Sequence, residues 1–185
     1  MMMETQRLIL RPFEADDAGD LYDYLHLPQV HCFDCMQVHT QEEARAEACM
    51  RAEDPQFYFA IVHKESGKVI GEINAHPEST APGEAPRDTF SPCWMLHPAY
   101  MGKGYAYEAA KAFFDYLFTQ AGARRIYAYT EVDNLPSQRL CERLGMRREG
   151  VFVEFVSFVK DEKGEPIYET TIQYAILKKE WQLAQ

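Results

Sequence analysis

Between two glycines, Gly104 and Gly122, the chain carries Ala106, Ala109, Ala110, Phe113, Phe114, Leu117 and Phe118. This is the i, i+3, i+4, i+7, i+8, i+11, i+12 series of a helix with one wide apolar face, which must be covered by another layer. The runs on either side, "TFSPCWML" (Thr89 to Leu96) and "RRIYAYTEV", are rich in β-branched and aromatic residues and read as strands. Gly122 ends the helix in the left-handed conformation that glycine adopts without steric cost.

The remaining segments extend this alternation. "RLILRPF" (Arg7 to Phe13) reads as a first strand stopped by proline, and "EADDAGDLYDYL" as a short helix with an acidic start. In "TQEEARAEACMRAED", Thr40 and Glu43 have the spacing of a capping box, so a second helix begins there. "FYFAIVHK" and "VIGEINAH" flank Glu65-Ser66-Gly67-Lys68 and predict an antiparallel hairpin. The proline-rich "PESTAPGEAPRD" (Pro77 to Asp88) predicts a long surface loop that borders a substrate site. Pro92 removes one ladder donor from its strand and implies an edge, a bulge or a gap. "NLPSQRLCERLG" predicts a helix opened near Asn134 and Pro136 and closed by Gly145. "VFVEFVSFVK" and "IYETTIQYAIL" predict a long hairpin around "DEKGEP". The order β, α, α, β, β, β, α, β, α, β, β describes an α/β fold, a mixed and mostly antiparallel sheet with helices on both faces. With 185 residues and 46% hydrophobic content, a single domain spanning 1–185 is expected.

Charge narrows the function. The net charge of -10 argues against nucleic acid as a partner, because phosphates require a basic face. Between Ala99 and Gly150, however, eight Lys/Arg stand against six Asp/Glu, so this region favours a phosphate-bearing ligand and the acidic remainder an amine. Solubility alone also accounts for an acidic chain. The five cysteines form an odd, scattered set, which reads as reduced thiols rather than a disulfide framework. His31, Cys32, Cys35 and His39 have ligand chemistry, but a structural zinc site draws its second ligand pair from a separate element, so no metal is expected. No long apolar run is present, and a cytoplasmic protein with no membrane partner is the expectation.

The glycines before the long helix can serve an anion. The first N–H groups of a helix lack internal partners, and the aligned peptide dipoles place partial positive charge there. "GKG" at 102–104 is neither a phosphate-binding Walker loop nor a dinucleotide fingerprint. Alone it is a weak signal and reads more readily as a tight turn that needs positive φ. Beside "NLPSQRLCERLGM", the stretch "HPAYMGKGYAYEA" resembles the acetyl-CoA loop of the GCN5-related N-acetyltransferase superfamily, whose signature then falls on Met101, Gly104 and Ala106. The strand order, "RLILRPF" and the final hairpin extend the similarity over nearly the whole chain, towards the ribosomal-protein alanine N-acetyltransferase-like branch.

The resemblance implies acetyl-CoA as co-substrate, no metal, and direct transfer of acetyl to a primary amine of a small molecule or a protein N-terminus. A homodimer is compatible with it. It implies that the fourth and fifth strands splay to admit the pantetheine arm, which would bind the backbone of Trp94, Met95 and Leu96. Met101, Gly102, Lys103, Gly104, Tyr105 and Ala106 would cradle the pyrophosphate. Asn134 would face the pantetheine and Arg139 the phosphates, although Arg139 is equally a solvated helix residue. Met101 stands where relatives place Gln or Arg, and Cys141 where many place the tyrosine that protonates the leaving thiolate. Ser137 or Cys141 is then the expected proton donor, with a helix-start role for Ser137 as the alternative. Glu72 and Glu131, on central strands, are the candidate general bases. Glu154 and Tyr174 could line the acceptor pocket, and Glu108 reads as a carboxylate complementing the helix dipole. A non-enzymatic CoA-binding module of the same fold, or a nucleotide-phosphate binder using the glycine loop, would share these features.

Overall fold

The computed structural model describes residues 1–28, 31–78 and 88–183. The described strands are β1 (Met3–Glu4), β2 (Leu8–Arg11), β3 (Tyr58–His63), β4 (Val69–Glu78), β5 (Thr89–Leu96), β6 (Arg125–Glu131), β7 (Arg147–Lys160) and β8 (Pro166–Leu177). The described α-helices are α1 (Ala18–Leu25), α2 (Gln41–Ala52), α3 (Tyr105–Thr119), α4 (Leu135–Arg143) and α5 (Lys178–Leu183). The fold is mixed α/β, its strands ordered β1-β2-β3-β4-β5-β6-β8-β7 in a mostly antiparallel sheet flanked by helices, with β5 and β6 parallel. By packing, the chain divides into two compact units: Met1–Gln29, Met36–Ala75 and Cys93–Asp115 form the first, and Val30–Cys35, His76–Pro92 and Tyr116–Gln185 the second.

In the first unit, local chemistry sets the elements as expected. Thr40 Oγ1 accepts the Glu43 N–H at 3.1 Å and Glu43 accepts the Thr40 N–H at 3.3 Å, completing the capping box of α2. The β3–β4 hairpin turns at Gly67, whose φ is 70°, and pairs Tyr58 with Asn74 through Val62 with Val69. Gly71, on β4, has a packing reason for being glycine. A β-carbon there would lie 2.1 Å from the Met95 carbonyl oxygen, so only glycine lets the backbones of β4 and β5 approach this closely.

In the second unit, β6 and β8 run antiparallel from Arg125↔Leu177 to Glu131↔Thr171. Helix α4 ends in a Schellman motif: the Met146 N–H reaches Cys141 O and the Gly145 N–H reaches Glu142 O, both at 3.0 Å, with Gly145 at φ 77°. Three features depart from the sequence reading. Strand β7 starts at Arg147, before the expected "VFVEFVSFVK", and its register against β8 shifts at Arg148/Gly150, Phe152/Val156 and Val156/Val159. Glu154, inside the second bulge, has φ 49°. The short α5, also unexpected, is held by the buried Trp181, whose ring lies 5.9 Å from that of Phe118. Finally, Pro77 and Glu78 belong to β4 rather than to a loop; residues 79–87 of the expected loop, and 29–30 of the segment after α1, lie outside the described residues.

The predicted face of α3 is buried from Ala109 to Phe118, with Ala109, Ala110, Phe113, Phe114 and Leu117 at 0% exposure. Ala106, at its start, is only partly buried. Among the described residues no helix is long and apolar enough to cross a membrane.

Candidate active site

Strand β5 ends at Leu96, and a single 3-10 turn, Pro98–Tyr100, leads to the glycines. His97 opens that turn by accepting the Ala99 N–H at 3.0 Å. Gly102 and Gly104 sit at φ 73° and 84°, where a side chain would be strained. The first helical hydrogen bond runs from the Glu108 N–H to Gly104 O at 3.1 Å. The N–H groups ahead of it therefore face out of the helix end, with the positive end of the dipole behind them. A side chain at Gly102 would meet nothing within 4 Å, so glycine is needed there for conformation and the approach stays open. Met101 is 44% exposed. Lys103 is tied back to the loop, its ammonium donating to Ala99 O at 2.9 Å and lying 5.4 Å from the centre of the Tyr100 ring. The chemistry of this end suits a phosphate.

Glu108 is more than a complement to the dipole. Its Oε1 accepts the Thr5 hydroxyl and the Arg7 N–H, and its Oε2 the Arg7 Nε, each at 2.7 Å. Burial alone would raise its pKa, but the Thr5 and Arg7 hydrogen bonds outweigh that and hold it below the ordinary value. A half-open pocket of about 340 Å³ lies beside it, lined by Gln6, Arg7, His63, Lys64, Glu65 and Tyr105. Of the residues expected to hold cofactor, its lining includes Tyr105 alone.

Trp94, Met95 and Leu96 form the end of β5, Trp94 partly exposed and the other two buried. Among the described residues the β5–β6 ladder holds Thr89↔Arg125 and Phe90↔Ile126. It stops just before Pro92, which has no N–H to continue it.

Glu72 does not have the surroundings of a base. It is 1% exposed and its carboxylate meets four donors: Tyr24 OH at 2.9 Å, Tyr58 OH at 2.8 Å, and Arg51 through Nε at 3.1 Å and a terminal nitrogen at 3.3 Å. Arg51, also contacting Glu47, is fully buried. Burial would lower its pKa, yet Glu72, Tyr58, Tyr24 and Glu47 together outweigh this and keep it raised. Burial first, and then the Glu72 charge, push Tyr24 and Tyr58 well above the ordinary phenol value. Every acceptor position of Glu72 is engaged by a group that will not release it, so the carboxylate anchors α1, α2 and β3 to β4.

On α4 the helix cap is Asn134. Its Oδ1 accepts the Ser137 N–H at 3.2 Å and its Nδ2 donates to Glu131 Oε2 at 3.3 Å. The cap of α4 is thus Asn134. Ser137 is half-buried in the first turn. Cys141, one turn on, is 0% exposed, and desolvation pushes its thiol up to about 12. Arg139 is exposed. Glu131 ends β6 at 9% exposure, opposite Thr171. Tyr174 donates to Glu142 at 3.4 Å, and burial followed by the Glu142 charge raises its pKa. Glu154 is exposed on the β7 bulge.

Sequence reasoning missed the Arg7–Glu108 contact, the Arg51 partnership of Glu72, and the buried hydroxyls of Thr130 and Thr171, which have no hydrogen-bond partner among the described residues. Pairings across tens of residues leave no periodic trace. Only an arginine in an otherwise apolar strand start and a glutamate inside a strand signalled them.

Residues 7–147 match the family described as acetyltransferase (GNAT) domain. An uncharacterized N-acetyltransferase of Bacillus subtilis (strain 168), YnaD, is 33% identical over 181 residues, covering 98% of this chain and 99% of that one. The crystal structure of a GNAT-family acetyltransferase from Bacillus anthracis superposes with a TM-score of 0.82 at 28% identity, covering 97% of this chain and all of that one. RimL, a ribosomal L7/L12 alpha-N-protein acetyltransferase in complex with coenzyme A, shares the fold at TM-score 0.72 and 16% identity, covering 96% of this chain and 98% of that one.

Proposed function

Because the chain belongs to the GNAT acetyltransferase family, we propose that it carries an acetyl group from acetyl-CoA directly to a primary amine of a small molecule or a protein N-terminus. The observation that carries the reading is the start of α3, where Gly102 and Gly104 take positive φ just ahead of the first helical turn. Pro92, which has no N–H with which to continue the β5–β6 ladder, supports it.

In this reading Met101 to Ala106 hold the pyrophosphate through backbone N–H groups, and Arg139 adds charge from an exposed position. The backbone of Trp94, Met95 and Leu96 takes the pantetheine, and a strand N–H polarises the thioester carbonyl. Acetyl-CoA supplies the activated acyl group. Ser137, half-buried at a helix start, offers its hydroxyl to the departing sulfur. Cys141 has no exposed surface on which to meet a ligand, so it belongs to packing. Between the two strand glutamates, Glu131 receives the amine proton, because Glu72 is held by four donors. The enzyme works in the cytoplasm with its cysteines reduced.

Thermal denaturation with acetyl-CoA, ATP and NAD tests the donor. A ligand at a hundred times its Kd should stabilise by about 2.7 kcal/mol, and this is expected for acetyl-CoA alone. Stabilisation by ATP alone would sink the reading. Release of free thiol with a panel of amines then reports turnover and identifies the acceptor class.

A further inference from the structure

We propose that Arg7, in the N-terminal segment, is the positioning residue that holds the glycine loop in its cofactor-receiving form. This rests on the reading of Met101 to Ala106 as a pyrophosphate cradle. One guanidinium spans the whole loop exit. Its Nε donates to Glu108 Oε2 at 2.7 Å, a terminal nitrogen donates to Lys103 O at 3.0 Å, and its central carbon lies 4.4 Å from the centre of the Tyr105 ring. The other terminal nitrogen is 3.4 Å from where a β-carbon of Gly104 would stand.

Two physical consequences follow for an anion at the loop. A trans peptide is planar, so the carbonyl of Lys103 and the N–H of Gly104 point in opposite directions. By holding the Lys103 carbonyl towards itself, Arg7 turns the Gly104 N–H to the far side of the peptide, away from the guanidinium. The second consequence is electrostatic. Glu108, in the first turn of α3, would repel a phosphate at that helix end. Arg7 pairs with it by side chain and by backbone N–H, and Thr5 adds a third bond, so the negative charge is drawn off the axis and compensated. A residue about a hundred positions earlier in the chain thus sets both the direction of a donor and the sign of the field at the cradle.

The test must separate positioning from simple tethering of the N-terminal strands. The full chain and its Arg7→Met and Arg7→Lys variants are titrated with acetyl-CoA and with S-acetylpantetheine, which lacks the pyrophosphate. For Arg7→Met, acetyl-CoA should bind roughly tenfold more weakly while S-acetylpantetheine stays within about twofold of wild type. Arg7→Lys, which keeps the charge but loses the fork, should fall between. Equal weakening of both ligands, or of neither, overturns the assignment. If Arg7→Met fails to fold, the same comparison of the two ligands in Arg7→Lys decides. A wild type that does not distinguish acetyl-CoA from S-acetylpantetheine overturns the cradle reading itself, whatever the variants do.

Discussion

Helices α3 and α4 begin in opposite ways. The start of α3 is left open by two glycines at positive φ, and the carboxylate in its first turn faces Thr5 and Arg7 rather than the helix N–H groups. The start of α4 is closed: Asn134 caps it, Pro136 occupies a position that needs no N–H, and Gln138 folds back to Glu131 O and Val132 O. The same peptide dipole is present at both ends. What differs is the residue ahead of the first turn: a side-chain cap occupies one helix end, and glycines leave the other without a side chain in the way of a ligand.

The largest effect should come from closing the open end. Gly104→Asp places a charged side chain at φ 84° and an anion where one is to bind. It should abolish the stabilisation by acetyl-CoA, about 2.7 kcal/mol at a hundredfold excess over Kd, with far-ultraviolet circular dichroism retained. Opening the closed end is a smaller change. Asn134→Ala should cost about 1 kcal/mol through the lost cap and lower Tm by roughly 2–4 °C, read in a thermal melt, while acetyl-CoA binding falls far less than in Gly104→Asp.

A third effect is a pH slope. Glu108 is held below its ordinary value of 4.5, so its contribution to stability is complete above that value and disappears as the pH falls through the lower folded value. Denaturation series from pH 6 downwards should therefore show wild type losing more stability below about pH 4.5 than Glu108→Gln. The smallest effect concerns Cys141. With its thiol pushed up to about 12 by burial, iodoacetamide at pH 8 should label the exposed Cys49 and leave Cys141 unmodified, as peptide mass mapping would show. Labelling of Cys141 at a similar rate would return it to the list of reactive groups.

Much of the fold was legible because it is written in short-range chemistry. The Thr40–Glu43 cap, the Gly67 turn, the glycine ends of α3 and α4 and the apolar face of α3 all stood in contiguous residues. So did the break at Pro92. The departures are long-range: α5 exists because Trp181 is buried beside Phe118, and the β7 bulges because its register must accommodate β8. In the site, the glycine loop and the α4 start could be read as motifs. The standing of Glu72 could not, since nothing near it in sequence indicates that Tyr24, Arg51 and Tyr58 converge on its carboxylate. Ser137 and Cys141 looked alike on one helix face, and depth alone separates them.

Strand β7 carries a consequence for life at high concentration. It is the last strand in the order, fourteen residues long, and it exposes Val151, Val153, Phe155 and Phe158. A straight border of that composition would recruit other chains into an extended fibre. Here the register slips after every one to three paired residues, and Glu154 turns left-handed at the middle of the longest slip. An incoming strand would find no continuous row of donors and acceptors to copy, so the bulges help keep molecules of this protein apart while their side chains remain exposed.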